Sequence, residues 1–140
     1  RTPIAYSERI LNGEKITGFV DKEGFFLYKR YSDQEFTKKL SSKVFGWEEN
    51  FRETLSKILN FQQDNDVMFN KIFFSPNGFL TLEEESLKTI LLGFNSKIIE
   101  NQLRIISNIK NQLKENNILE KIDNIDLTDP NNPKIKVFKP

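Results

Sequence analysis

The first third of the chain shows the alternation of apolar and polar residues that is typical of β-strands. Two turn sequences divide it. Asn12 and Gly13 form a strong hairpin signal, and residues 21–24, DKEG, suit a type I turn with Gly24 in the left-handed region. The pattern therefore predicts an antiparallel meander with strands over residues 4–11, 15–20 and 25–31.

The apolar residues change to a helical spacing after residue 31. Ser32 begins a capping-box sequence, which opens many helices. Phe36, Leu40 and Val44 then follow at four-residue intervals. A second stripe of the same period runs over residues 47–60. These spacings predict two consecutive helices.

Residues 67–74 and 79–81 flank the turn sequence SPNG and predict a second hairpin. From residue 82 to about residue 115 a helical period predicts the longest element, with a kink near Gly93. A straight helix of that length would measure about 50 Å, against about 37 Å for a compact body of this chain length. Its far half is expected to bend onto the sheet or to project toward a partner. The apolar stripe of that half comprises Ile98, Ile99, Leu103, Ile106, Ile109 and Leu113.

The last eighteen residues divide into a polar and an alternating part. Residues 123–133, DNIDLTDPNNP, are typical of a linker. In residues 134–139, KIKVFK, Lys134 and Lys136 alternate with apolar residues, as in an edge strand with charged residues that discourage aggregation. The predicted fold is α+β: an antiparallel meander plus a second hairpin, covered by three helices with the last one long. Residues 1–122 form its single domain, and residues 123–140 form a linker and edge strand.

The composition excludes several classes of catalytic and metal-binding site. The 140 residues contain no Cys and no His, and 21 Lys and Arg residues balance 20 Asp and Glu residues to a net charge of +1. These absences exclude Ser–His and Cys–His catalysis, disulfides and zinc–thiolate sites. They favour a non-enzymatic protein, and no cofactor or metal is predicted. No apolar run reaches the roughly 20 residues of a transmembrane helix, and nothing in the sequence specifies a compartment.

One short motif suggests an enzyme. Residues 18–26, GFVDKEGFF, resemble the signature of the LAGLIDADG homing endonucleases. The resemblance implies a helix that ends at an acidic residue beside glycine, with Glu23 as a Mg²⁺ ligand for phosphodiester hydrolysis. It also implies a DNA-facing strand from Phe25 onward. The residue types themselves favour a different conformation, because Thr17, Phe19 and Val20 before a glycine turn suit a hairpin.

A second motif and a basic cluster suggest anion binding. Residues 28–33, YKRYSD, resemble the RYSDF element of phosphoinositide-binding PX domains, although Gln34 and Glu35 interrupt it. The resemblance implies that Arg30 contacts a lipid phosphate. Basic residues cluster around the same segment, and a solvated surface is the alternative to a phosphate or nucleic-acid patch. The candidate anion-binding residues are Lys29, Arg30, Lys38, Lys39 and Lys43.

Two functional hypotheses result. The first is a protein–protein interaction or assembly module that uses the long amphipathic helix and the sheet edge to bind a protein partner or a second copy of itself. It requires the apolar stripe of the helix to be exposed. The alternative is a LAGLIDADG-like, Mg²⁺-dependent DNA-binding endonuclease, or an inactive relative, with Glu23 as the ligand.

Overall fold

The structure, a computed structural model, describes residues 1–29 and 39–138. Its strands all belong to one mixed sheet in the order β3-β2-β1-β4-β5-β6-β7-β8-β9. Two helices, α1 (Arg52–Asp64) and α2 (Ile99–Glu115), each follow a short 3₁₀ turn. The strands are Ala5–Leu11 (β1), Glu14–Val20 (β2), Phe26–Tyr28 (β3), Lys43–Phe45 (β4), Phe69–Phe74 (β5), Leu80–Glu84 (β6), Lys88–Gly93 (β7), Ile122–Asp126 (β8) and Lys134–Val137 (β9).

The helices serve as crossovers between parallel strands. The pairs β1–β4, β4–β5 and β7–β8 are parallel, and the other pairs are antiparallel. Parallel neighbours require a crossover connection, which α1 supplies between β4 and β5 and α2 between β7 and β8. The two helices contact each other and therefore cover the same face of the sheet. We call the opposite side of the sheet the open face.

The core lies between the helices and the sheet. Each central strand sends every second side chain toward the helices, as the period of a strand requires. These side chains are fully buried, and the apolar stripes of α1 and α2 pack on them. The core includes Val44, Leu55, Ile58, Leu59, Ile72, Leu82, Ile90, Leu103, Ile106 and Ile125.

The predicted arrangement of three helices over a meander and a hairpin is wrong. In the described residues a nine-stranded mixed sheet carries two helices. Most of the first predicted helix falls on residues 30–38, outside the described residues. Its end forms β4, where Val44 is buried between β1 and β5. A four-residue spacing of apolar residues does not exclude a strand at Val44, because strand neighbours distant in sequence can bury this side chain.

The long predicted helix is also wrong in its first half. Residues 80–93 form the β6–β7 hairpin, and the helix comprises only Ile99–Glu115. Leu82 and Ile90 stand eight residues apart, a spacing that fits both a helical and a strand period. The acidic run at residues 83–85 resembles a helix start, but Glu83 and Glu84 end β6 and Glu85 begins the turn to β7. Lys88, the first residue of β7, has a φ of +64°.

The segment predicted as a linker contributes a strand. Ile122 and Ile125 are fully buried in β8, which lies between β7 and β9. Asp and Asn are rare in strands, so residues 122–126 carry little local strand signal. Parallel pairing with β7 supplies the hydrogen bonds that local sequence does not predict. Within the described residues, no helix combines the length and apolarity needed to cross a membrane.

Candidate functional site

Residues 18–26 adopt a strand–turn–strand conformation. Gly18 lies within β2, the turn follows Val20, and β3 begins at Phe26. Gly24 has a φ of +84°, in the left-handed region that glycine adopts readily. The resemblance to the LAGLIDADG signature implied a helix here, and the structure has a hairpin instead.

The Asp21 carboxylate organises this turn. Its Oδ1 accepts hydrogen bonds from the backbone N–H groups of Glu23 and Phe25, both at 3.0 Å. Its Oδ2 lies 2.6 Å from Nη1 of Arg1. Asp21 is buried, and a buried carboxylate requires such donors. Asp21 therefore has a structural role in the loop.

Three successive carbonyls of the turn accept hydrogen bonds from side chains. The Lys22 carbonyl accepts from Ser56 and Asn60 of α1, and the Glu23 carbonyl accepts from Arg52. The Gly24 carbonyl accepts from Nε1 of Trp47 at 2.8 Å. These bonds join the loop to α1 and to Trp47 in the segment before it, and they satisfy backbone carbonyls of the turn. The motif at residues 18–26 is thus explained by its role in folding.

Glu23, the metal ligand implied by the resemblance, lies on the surface of this loop. Its side chain is 55% exposed and pairs with Arg1 at 3.1 Å. Among the described residues, no group of three or more His, Cys, Asp or Glu side chains is arranged to hold a metal ion.

The structure describes three of the five candidate anion-binding residues. Lys43 lies on β4 at the open face, where its Nζ is 3.2 Å from Oε1 of Glu8 and 4.9 Å from the centre of the Phe45 ring. Lys29 and Lys39 are exposed on either side of the undescribed segment. Arg30 and Lys38, and with them the PX-like element, lie outside the described residues. Lys43 is therefore engaged in an ion pair.

Glu8 is a partly buried acidic residue on the open face. Burial disfavours its ionised form, but hydrogen bonds from Lys43 and Lys15 outweigh this effect and hold the pKa of Glu8 below its ordinary value of 4.5. Lys15 lies on β2 and Lys43 on β4, so the carboxylate links three strands. The single carboxylate balances the charge of only one of the two lysines.

A pH prediction follows from this lowered pKa. A group with a lowered pKa in the folded state stabilises the fold above its unfolded pKa, and this contribution is lost as the pH falls through the folded pKa. We expect Glu8→Gln to reduce the loss of stability on acidification below the ordinary glutamate range. Urea midpoints measured from neutral to acidic pH check this, with Glu100→Gln, at a 76% exposed side chain, as the control. An unchanged acid slope in Glu8→Gln would contradict the expectation.

The apolar stripe of α2 packs mainly inward. Its Ile99, Leu103, Ile106 and Ile109 are buried, while Ile98 and Leu113 are half-buried. Lys110 interrupts the stripe because its Nζ reaches Oε1 of Glu84 at 2.8 Å. The stripe thus forms part of the core. Of the two contact surfaces predicted from the sequence, the helix stripe and the sheet edge, the exposed one is the sheet edge.

That edge is formed by β9. All four of its residues are exposed, and β8 is its only neighbour in the described sheet. Ile135 and Val137 pair with the buried Ile125 and Ile122, so their side chains lie on the helix side of the sheet. Ile135 is 42% exposed and Val137 is 46% exposed, which leaves an apolar strip beyond α2.

The outer side of β9 presents backbone donors. The N–H of Phe138 donates to the Lys121 carbonyl of the preceding segment at 2.9 Å. Because N–H groups alternate in direction along a strand, those of Ile135 and Val137 point away from β8. The edge therefore offers hydrogen-bonding groups together with apolar side chains.

The open face carries an apolar cleft that the sequence analysis did not identify. It has a volume of about 490 Å³ and lies at the carboxyl ends of β1, β4 and β5. Ile10 is 63% exposed, Phe73 is 46% exposed, and the rings of Phe45 and Phe73 are 6.3 Å apart. Alternation within β5 could have indicated Phe73, since Ile72 and Phe74 on either side of it point into the core.

Comparisons with known proteins give no functional lead. No protein-family model matches this chain, and no curated protein matches its sequence. The geometry of the described residues is therefore the basis for assigning a function.

Proposed function

We propose that this chain is a protein-binding module that captures an extended partner segment by strand addition at β9. The observation that carries the proposal is the exposure of β9 along its whole length at the sheet edge. An edge strand presents a row of backbone N–H and C=O groups with which another chain can pair. Strand addition would satisfy the outward N–H groups of Ile135 and Val137 with partner carbonyls.

The side chains of β9 define the partner segment. Ile135 and Val137 lie on the helix side, where apolar residues of the partner would extend the core past α2. Lys134 and Lys136 lie on the open face and favour acidic residues opposite them. We therefore expect the partner strand to alternate apolar and acidic residues.

The lysines disfavour a second copy of this chain as the partner. Two β9 strands could pair antiparallel with all helices on one face of the joined sheet. Residues directly opposite each other share a face, so lysines would then stand opposite lysines. Like charges in such pairs are destabilising, which favours a different protein over self-association through this register.

Selection from a displayed library of short random peptides tests this proposal on the chain as it is. We expect enriched peptides to alternate apolar and acidic residues, and to slow amide exchange at Ile135 and Val137. Ile135→Pro should weaken their binding by about tenfold or more, because it removes an outward donor and obstructs the approaching strand.

Thermal unfolding of the variants shows whether a loss of binding results from a loss of folding. The thermal midpoint of Ile135→Pro should change little, because proline is tolerated at an edge strand where its missing N–H would face solvent. Ile135→Ala is the matched control, since it keeps the amide and removes only apolar contacts. Equal binding of the selected peptides to Ile135→Pro and to the unaltered chain would reject strand addition at β9.

A further inference from the structure

The turn between β1 and β2 is a two-residue loop made of Asn12 and Gly13. Both residues are exposed and have positive φ angles, +53° for Asn12 and +80° for Gly13. A Cβ atom built on Gly13 would meet no atom within 4 Å. Within the described residues, the Asn12 side chain makes no hydrogen bond. The tip of the hairpin is therefore unobstructed.

We propose that Asn12 is a site of spontaneous modification, at which the side-chain amide is converted to a carboxylate. The backbone nitrogen of Gly13 attacks Cγ of Asn12, the bond from Cγ to the side-chain nitrogen breaks, and ammonia leaves. Water then opens the resulting five-membered imide at either carbonyl. The products are aspartate or isoaspartate, and no reactant other than water is required. Glycine as the next residue leaves the attacking nitrogen accessible, because it has no side chain.

A second Asn–Gly pair in the chain provides an internal comparison. Asn77 and Gly78 lie in the turn between β5 and β6, where Oδ1 of Asn77 accepts hydrogen bonds from the Ser75 hydroxyl and the Phe79 N–H. The Gly78 nitrogen, which would have to attack, donates to the Ser75 carbonyl at 2.9 Å. Both reacting groups of this pair are thus held by other partners. Asn12 should react faster than Asn77 in the folded chain.

The modification would act on the pairing of β1 and β2. Seven residue pairs, from Ala5 with Val20 to Leu11 with Glu14, are joined by this loop. Loop length determines the register of a hairpin, and isoaspartate lengthens the backbone of the loop by one atom. Ile10, close to the loop, lines the cleft on the open face. Isoaspartate at position 12 would therefore disturb the sheet next to that cleft.

Peptide mapping with isoaspartate detection tests the proposal, after incubation of the folded chain at mildly alkaline pH. We expect conversion at Asn12 to be several-fold faster than at Asn77, and the difference to shrink in concentrated urea. The urea arm removes the hydrogen bonds around Asn77 while keeping both sequences intact. Equal conversion of the two residues in the folded chain, or faster conversion at Asn77, would overturn the proposal.

Discussion

Replacement of Gly46 by alanine is expected to destabilise the protein far more than the same replacement at Gly13. Gly46 follows β4 with a φ of +75°, and a Cβ atom there would lie 1.9 Å from the Phe74 carbonyl oxygen. That oxygen belongs to the backbone of β5, which pairs with β4. It cannot move without separating two central strands. We expect a loss of about 3 kcal/mol or more, from the left-handed conformation and the steric overlap together.

Gly13 provides the matched control for this prediction. Its φ of +80° is nearly the same, but no atom lies within 4 Å of the Cβ position. Gly13→Ala should therefore show only the conformational cost, about 1 kcal/mol. The free energy of unfolding of both variants is measured by urea denaturation. The slopes of this free energy against urea concentration are compared, because equal slopes show that only stability has changed. Similar losses of stability in Gly46→Ala and Gly13→Ala would contradict the prediction, because they would show that the overlap with the Phe74 carbonyl costs nothing.

The second large effect is expected for Glu84→Ala. The Glu84 side chain is 3% exposed, and its Oε1 pairs with Lys110 of α2 at 2.8 Å. Its Oε2 accepts hydrogen bonds from the backbone N–H groups of Ser86 and Leu87, at 2.8 and 2.7 Å. One carboxylate thus holds the β6–β7 turn and joins it to α2. Removing it leaves two backbone donors without an acceptor and the lysine without its partner. We expect a loss of about 3 kcal/mol.

Substitutions at neighbouring residues test whether the loss in Glu84→Ala comes from its buried hydrogen bonds or merely from the removal of a negative charge. Glu83 is 43% exposed on the open face and lies 3.8 Å from Lys71, so Glu83→Ala should cost less than about 1 kcal/mol. Lys110→Met tests the other side of the buried pair. The double variant should be less destabilised than the sum of the single variants, because they share one interaction. A loss in Glu84→Ala no larger than in Glu83→Ala would contradict a structural role for this carboxylate.

Local sequence was informative where short-range chemistry decides the conformation. The turns at residues 12–13, 21–24 and 75–78 lie where their residue types predict them. The stripe over residues 47–60 corresponds to α1 and its preceding turn. The candidate site was less predictable, because the importance of β9 depends on its position at the edge of the sheet. The cleft at Phe45 and Phe73 depends on the parallel pairing of β4 with β5, which no local pattern encodes.

The turns, the apolar faces and the absence of His and Cys chemistry can be read from the residues alone, because these depend on residue type and on spacings of a few positions. The hairpin of residues 80–93, the strand of residues 122–126 and the inward packing of the α2 stripe depend instead on long-range contacts. Short apolar segments fit more than one period. The choice between periods is made by strands distant in the chain, which supply backbone hydrogen bonds and a buried surface.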